Sequence, residues 1–200
     1  MRRSAIVSGF IAAICLIPAA TCQEFRPWWV AGELGEGQFT LSSDQVQGKR
    51  DSTFALGFAG GRQLGSRFRA GLHVNGWLLQ AFNLNDPTVG ESVTNVTGVI
   101  DVFPLRNSYR LFARGGLGHA TYSVNRPSGV SGGGLAWEAG AGYEIPLRGQ
   151  FSLVPMVEYS AGHLGDIHIP NDAETGRKFS VVGFKISVIY HFGRPRLSMR

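Results

Sequence analysis

Apolar and polar residues alternate along residues 178–192, near the end of the chain. One face of this segment is apolar without interruption and consists of Val182, Phe184, Ile186, Val188, Tyr190 and Phe192. The other face mixes small, polar and charged residues, among them Lys185 and His191. Because successive side chains of a strand point to opposite faces, the pattern predicts a strand with lipid on one side and a packed polar interior on the other.

Seven earlier segments repeat this alternation, the first, second and fourth less cleanly than the others. The eight predicted strands are residues 28–39, 53–63, 68–81, 93–103, 109–124, 135–145, 151–163 and 178–192. Each has the length of roughly 10 residues that a tilted strand needs to cross a bilayer. After residue 22 no apolar run is long enough for a transmembrane helix. The pattern therefore predicts an all-β protein that crosses a membrane with strands.

The connections between these segments alternate in length. The short connections are residues 64–66, 104–108 and 146–150, and the long ones are residues 41–52, 82–92, 125–134 and 164–177. With eight strands, all short connections and both chain ends fall on one side, as in bacterial outer-membrane barrels. The sequence thus predicts an eight-stranded antiparallel up-and-down transmembrane β-barrel with short periplasmic turns and longer external loops.

The interior of an eight-stranded barrel is just wide enough for side chains. Glycine, at 28 of 200 residues, is about twice as frequent as usual, and inward glycines such as Gly71, Gly140 and Gly142 leave room for long charged neighbours. The predicted interior charges are Glu33, Arg69, Asp101, Arg110, Arg114, Glu138, Glu144, Glu158 and Lys185. Confined charges must be paired, and both signs are present, so we expect a mutually paired network that fills the barrel. The alternative is that these charges line a narrow channel.

The N-terminus has the features of a secretory signal peptide. Arg2 and Arg3 precede an apolar stretch at residues 5–18, and small residues follow it up to Cys22. We expect cleavage after Cys22 or Ala20, and the alternative is a lipoprotein signal in which Cys22 is lipidated. The predicted organisation is a cleaved signal at residues 1–22, a barrel at 23–192 and a short basic tail at 193–200.

Removal of the signal peptide makes the charge balance mild. Lys+Arg falls from 19 to 17 when Arg2 and Arg3 are lost, against 14 Asp+Glu, so the net charge becomes about +3. Without a long run of Lys and Arg, nucleic acid is not an expected partner. The two cysteines lie in the signal or at its edge, so the exported chain is expected to have no internal disulfide. We expect no cofactor and no metal.

Three motifs resemble the OmpA/OmpX-type family of small eight-stranded outer-membrane barrels. They are residues 114–119 (RGGLGH), 136–144 (AWEAGAGYE) and 189–192 (IYHF). In that family the last strand usually ends on an aromatic residue that the barrel-assembly machinery recognises, and Tyr190 and Phe192 match this position. The resemblance implies a place in the cell outer membrane, with outer-membrane lipids, lipopolysaccharide and the assembly machinery as partners. The tail after Phe192 departs from the commonest family pattern.

An acyl hydrolase acting on lipid A is the enzymatic alternative. Some barrels of this size, the lipid A deacylases, use a Ser/His/Glu set, and Ser160, His163 and Glu158 provide these residue types. The His-x-Ser-Asn pattern of those enzymes is missing. Because Ser160 and His163 are three residues apart, a regular strand places them on opposite faces. We therefore do not expect catalysis.

A loop rich in carboxylate, amide and imidazole groups could bind a divalent cation or bridge to lipopolysaccharide phosphates. Its members are His163, Asp166, His168, Asn171, Asp172 and Glu174. Neither zinc-ligand spacing nor a calcium-loop pattern is present, so a solvated loop is the simpler interpretation. The expected function is a structural or surface-interaction role, namely envelope integrity or adhesion through external loops. The fold by itself does not choose between this role, a lipid-modifying enzyme and a channel.

Overall fold

The computed structural model describes residues 26–42, 49–78, 90–105, 110–125, 130–169 and 172–193. These ranges contain the strands β1 (Trp28–Ser42), β2 (Lys49–Leu64), β3 (Phe68–Leu78), β4 (Gly90–Val102), β5 (Leu111–Asn125), β6 (Val130–Tyr143), β7 (Ile145–Pro146), β8 (Phe151–Ile169) and β9 (Asp172–Phe192). The predicted signal peptide and residues 194–200 of the basic tail lie outside the described residues. No helix in the described ranges is long and apolar enough to span a membrane.

The strands form one closed antiparallel barrel. Each long strand pairs with the next one along the chain, and β9 pairs back with β1, so the wall has no open edge along its shared height. The two-residue strand β7 continues the line of β6 beyond Glu144 and pairs with β8, so eight long strands make the wall. The predicted eight-stranded antiparallel barrel is confirmed.

The pairing register sets the tilt of the strands. A path that starts at Trp28 and follows paired residues once around the wall returns to β1 at Gln38, ten residues further along. In a closed barrel such a stagger requires strands tilted by about 40°. Eight strands at this tilt leave an interior that side chains can fill completely.

The external hairpins are more regular than the sequence predicted. Two predicted long loops, residues 125–134 and 164–177, are largely strand, because β6 begins at Val130 and β8 and β9 leave only residues 170–171 between them. The prediction ended each strand where lipid-facing alternation stopped. Backbone hydrogen bonds between hairpin partners do not need lipid, so the ladders continue beyond that point.

The outward faces carry the large exposed apolar side chains expected of a surface in lipid. Leu34, Phe58, Leu72, Leu117 and Leu135 are all more than half exposed. Aromatic rings gather at two levels of the wall. Trp28, Phe151, Tyr190 and Phe192 lie at the end where β1 begins and β9 ends, and Trp137 packs against Tyr159 farther up. Two girdles of this kind mark the two membrane–water interfaces of a transmembrane barrel.

The barrel interior as candidate functional site

Two apolar layers close the lumen, one toward each end. The lower layer, toward the end where β1 begins and β9 ends, comprises Trp29, Ala31, Ala59, Phe103, Phe112, Val154, Met156 and Ile189. The upper layer, toward the long hairpins, comprises Phe39, Ala55, Trp77, Val93, Ala120, Tyr122, Ala136, Leu164, Phe179 and Val181. Several inward glycines make room for these rings. A Cβ at Gly71 would meet the indole of Trp29, and one at Gly183 would meet the indole of Trp77.

Between the layers, Asp101 holds two arginines together. Arg69 Nε donates a hydrogen bond to Asp101 Oδ2 at 2.8 Å, and Arg114 Nε donates to Asp101 Oδ1 at 2.7 Å. Arg69 Nη1 also donates to Glu144 Oε2 at 3.1 Å. All four side chains are almost completely buried. The charges are therefore paired by short, directional contacts, as buried ions must be.

The guanidinium of Arg69 joins this ionic group to the lower apolar layer. It lies 4.7 Å from the ring centroid of Trp29, 5.3 Å from that of Phe103 and 5.2 Å from that of Phe112. Cation–π contacts of this kind are strongest when water is excluded. The aromatic layer thus packs against the charge as well as closing the lumen.

A second ionic group centres on Lys185 and His73. Lys185 Nζ donates to both carboxylate oxygens of Glu158, at 2.8 and 2.9 Å, and lies 3.6 Å from Glu33 Oε2. His73 places Nδ1 2.9 Å from Glu138 and Nε2 3.2 Å from Glu33. Arg114 Nη1 donates to Glu33 at 3.4 Å, so the two groups form one network.

The carboxylates of the network outnumber its Lys and Arg residues by two. Its Lys and Arg members are Arg69, Arg114 and Lys185, and its carboxylates are Glu33, Asp101, Glu138, Glu144 and Glu158. His73 lies between two of these carboxylates, and His191 Nε2 lies 2.7 Å from Glu144. Among the described residues, each imidazole thus lies within hydrogen-bond distance of at least one carboxylate of the network.

The structure places eight of the nine predicted interior charges in this network. The exception is Arg110, which lies in the turn before β5 and is half-buried. Its backbone oxygen accepts a hydrogen bond from Glu144 N. The prediction assigned Arg110 to a strand that begins one residue after it. Arg110 is thus at the rim of the barrel.

The lumen also contains hydrogen-bonded polar residues without a formal charge, which a count of charged residues misses. Asn95 Nδ2 donates to Ser160 Oγ at 3.0 Å, and Thr97 Oγ1 donates to Glu138 at 2.9 Å. His73 and Thr97 both point inward, on the same strand face as Arg69 and Asp101 respectively. The alternation of inward and outward positions identifies these residues too, since a neutral polar side chain on the inward face is as confined as a charged one.

The three residues of the hydrolase alternative do not converge. Ser160 is buried in the lumen and His163 is exposed on the other face of β8, as their spacing predicted. Glu158 is occupied by Lys185. No proton can pass between the serine and the histidine in this arrangement. Of the acidic loop, the side chains of residues 166–176 lie outside the described part of the structure.

Glu33, His73 and Glu158 offer ligand atoms within 4.8 Å of one another, a spacing that a metal ion could use. The ammonium of Lys185 contacts both Glu158 and Glu33 and already supplies the positive charge at this point. The arrangement is better described as an internal salt bridge than as a metal centre.

Glu138→Leu tests the network at its histidine. The substitution removes the acceptor of His73 and Thr97, and we expect a loss of about 1–3 kcal/mol of unfolding free energy, since His73 is able to lose its proton and keeps Glu33 as a partner. Equilibrium urea unfolding of the protein in lipid vesicles measures the loss. Unchanged stability would show that the interior charges are not mutually supporting. Glu36→Gln, which removes an exposed carboxylate on β1, is the control.

Solved structures of outer-membrane proteins align with this chain at low sequence identity. Neisserial surface protein A (NspA) aligns with a TM-score of 0.52 and 15% identity, over 82% of this chain and 97% of the other. Ail, the attachment invasion locus protein of Yersinia pestis, aligns with a TM-score of 0.43 and 13% identity, over 80% and 99%. AlkL, an outer membrane protein, aligns with a TM-score of 0.46 and 12% identity, over 90% and 97%.

No curated protein sequence matches the chain. The family described as the outer membrane protein beta-barrel domain matches residues 7–192. This match covers nearly the whole chain, includes every strand of the wall, and agrees with the apolar outer face and the filled interior. The chain therefore belongs to the outer membrane protein β-barrel family.

Proposed function

We propose that this barrel is a non-enzymatic, non-conducting outer-membrane protein that supports the envelope and contacts its surroundings through its external hairpins. The filled interior carries this proposal. Two apolar layers enclose a paired ionic network, and an eight-stranded barrel has no further space for a water path. The lumen is built to hold the wall rigid.

The hairpin of β8 and β9 provides the contact surface in this proposal. Pairing of β8 with β6 stops at Gly162, whereas pairing with β9 continues to Ile169. Pairing of β9 with β1 begins only at Lys178. The hairpin therefore extends beyond its ladders with β6 and β1 as a two-stranded ribbon. Segments held out by a rigid scaffold are the usual carriers of binding specificity.

The proposal includes export by a signal peptide and insertion by the barrel-assembly machinery. Residues 1–22 would direct export and be removed, and the assembly machinery would recognise Tyr190 and Phe192 on the last strand. Both aromatic side chains face outward and are partly exposed, with ring centroids 6.1 Å apart. The apolar outer wall would contact outer-membrane lipids, and its external end would contact lipopolysaccharide.

A shortened hairpin separates the envelope role from the contact role. Gly165 and Arg177 are paired in the ladder, so replacing residues 166–176 with Asn-Gly closes the same strands with a two-residue turn. We expect cells with this variant to resist detergent plus EDTA like wild-type cells but to lose binding to immobilised matrix proteins or glycans. Cells without the protein should lose both properties.

Two results would contradict the proposal. One is a strain without the protein that keeps normal envelope resistance and normal surface binding. The other is a shortened hairpin that binds as well as the full chain, since this would remove the contact role from β8 and β9. Lys178→Gln, which leaves the hairpin at full length, is the control.

The same strains test the alternative functions. Lipid A from cells that lack or overproduce the protein should give identical mass spectra. The purified protein should produce no conductance steps in planar bilayers. A lost or gained acyl chain would show enzymatic activity, and discrete steps would show a channel.

A further inference from the structure

At each of the three short connections the sequence has a leucine with an arginine one or three residues after it, and all three leucines are exposed. Leu64 ends β2 and Arg67 lies in the turn between β2 and β3, and Leu147 and Arg148 follow β7. Between β4 and β5, Leu105 is followed in the sequence by an arginine that lies outside the described residues. Leu64, Leu105 and Leu147 are 53%, 54% and 44% exposed. The sequence Pro-Leu-Arg recurs at residues 104–106 and 146–148, so the combination is repeated around this rim.

The rim is positively charged and lacks counterions among the described residues. Arg62, Arg67 and Arg148 are exposed, and no carboxylate in the described ranges pairs with them. Asp101 and Glu144, the described acids nearest this end, are buried and bonded to Arg69, Arg114 and His191. We call the three exposed arginines with the three exposed leucines the arginine rim.

The arginine rim lies at the level of a membrane interface. The guanidinium of Arg62 lies 5.4 Å from the ring centroid of Trp28, which pairs with Phe192 in the aromatic girdle. Short turns face the periplasm in bacterial outer-membrane barrels, and the periplasmic leaflet of the outer membrane consists of phospholipids. The arginines therefore reach the height of phosphate groups, and the leucines reach the start of the acyl region.

We propose that the arginine rim binds the headgroups of anionic phospholipids of the phosphatidylglycerol type in the periplasmic leaflet. A guanidinium binds phosphate through two parallel hydrogen bonds, which an ammonium cannot do. The end of the barrel that carries the short turns has Arg residues and no Lys. A soluble anion would satisfy the arginines but leave the three leucines in water. A lipid satisfies both. This proposal does not depend on the external contact role.

Trp28 is a built-in reporter for the test. Trp29 and Trp77 are buried in the lumen, so Trp137→Phe leaves Trp28 as the exposed tryptophan. The full chain with this substitution is placed in phosphatidylcholine vesicles that contain either brominated phosphatidylglycerol or brominated phosphatidylcholine. We expect quenching to show at least about a threefold preference for phosphatidylglycerol, from attraction of each arginine to an anionic surface.

Three sets of variants identify the cause of the preference. Arg62→Gln/Arg67→Gln/Arg148→Gln should remove most of the preference, because both charge and fork geometry are lost at the exposed arginines, while Arg26 and Arg110 remain at the same end. Changing the same positions to Lys should keep only part of the preference for phosphatidylglycerol, because lysine keeps the charge and loses the fork geometry. Lys49→Gln/Arg50→Gln/Lys178→Gln removes three cations from the opposite end, with the same change in net charge, and should leave the preference unchanged.

Several results would overturn the proposal: no preference in the wild type, a preference retained after the triple Gln change, or an equal loss in the opposite-end control. Relief of quenching by excess inorganic phosphate would indicate a phosphate site that needs no lipid. Heat-modifiable gel mobility verifies folding of each variant. If the triple variant does not fold, Arg67→Gln and Arg148→Gln are measured singly, because both residues are exposed in turns.

Discussion

Asp101→Asn is expected to destabilise the folded barrel by about 3–5 kcal/mol, the usual loss when one partner of a buried ion pair is removed. The substitution leaves the guanidinium groups of Arg69 and Arg114, which now contact Asp101 at 2.8 and 2.7 Å, beside a neutral amide. Neither arginine can give up its proton. The loss of unfolding free energy should therefore exceed that caused by Glu138→Leu, because the main partner of Glu138 is His73, and a histidine can be neutral whereas an arginine cannot.

Urea unfolding in vesicles, followed by tryptophan fluorescence and by gel mobility, measures this loss. A second variant separates unpaired charge from other effects. Asp101→Asn/Arg114→Met removes one of the orphaned cations and should regain part of the lost stability, since buried charge without a partner is the cause. If the double variant is no more stable than the single one, the pairing argument fails. Glu36→Gln, at the lipid-facing surface, should change stability by less than about 1 kcal/mol.

Gly118→Val is expected to prevent most of the protein from folding. Gly118 points into the barrel on β5, and a Cβ there would overlap the carbonyl oxygen of Val96 and lie 2.6 Å from the Cα of Thr97. Both are backbone atoms of the neighbouring strand, so no side chain can turn away to relieve the overlap. The loss should reach at least about 3 kcal/mol, the upper part of the range for overpacked interiors.

Gly115→Val is the matched control for this prediction. Gly115 lies three residues earlier on the same strand, and a Cβ there meets no atom within 4 Å. Both variants replace a glycine by valine on β5, and a Cβ meets backbone atoms of the neighbouring strand at Gly118 but no atom within 4 Å at Gly115, so a difference between the variants reports this contact. The folded fraction is read from heat-modifiable gel mobility after refolding into vesicles. A Gly118→Val protein that folds as well as Gly115→Val would contradict the expected overlap.

Period-two alternation was sufficient to predict the barrel and the direction of most charged side chains. It could not predict which charges meet. Arg69 and Glu144 are 75 positions apart, and His73 and Glu138 are 65 apart, and their contact depends on the ten-residue stagger of the closed wall. A list of inward residues contains no information about stagger. The alternation therefore yields the members of the network and not its pairs.

Glycine shows a second limit of the sequence. Gly71 and Gly142 were expected to leave space for long charged neighbours, but they face the rings of Trp29 and Phe112. Gly116 does face a charged side chain, that of Glu138. Aromatic rings and charged side chains lie at different heights of the lumen. The side chain that fills the space beside each glycine therefore comes from a strand that is distant in the sequence. Local spacing shows that space is needed and cannot identify the side chain that fills it.

The joining of the first and last strands has a consequence for how the protein reaches its native state. Arg26 Nη1 donates to the carbonyl oxygen of Gly193, 167 positions away, beside the ladder in which β1 meets β9. The barrel cannot close until β9 is available to pair with β1. Pairing between segments that are far apart in the sequence is generally slow. Before closure the interior is open to water, so we expect the charges around Asp101 to be hydrated until then. Biogenesis should therefore have one late, cooperative step in which the seam closes, water leaves and the ionic contacts form together.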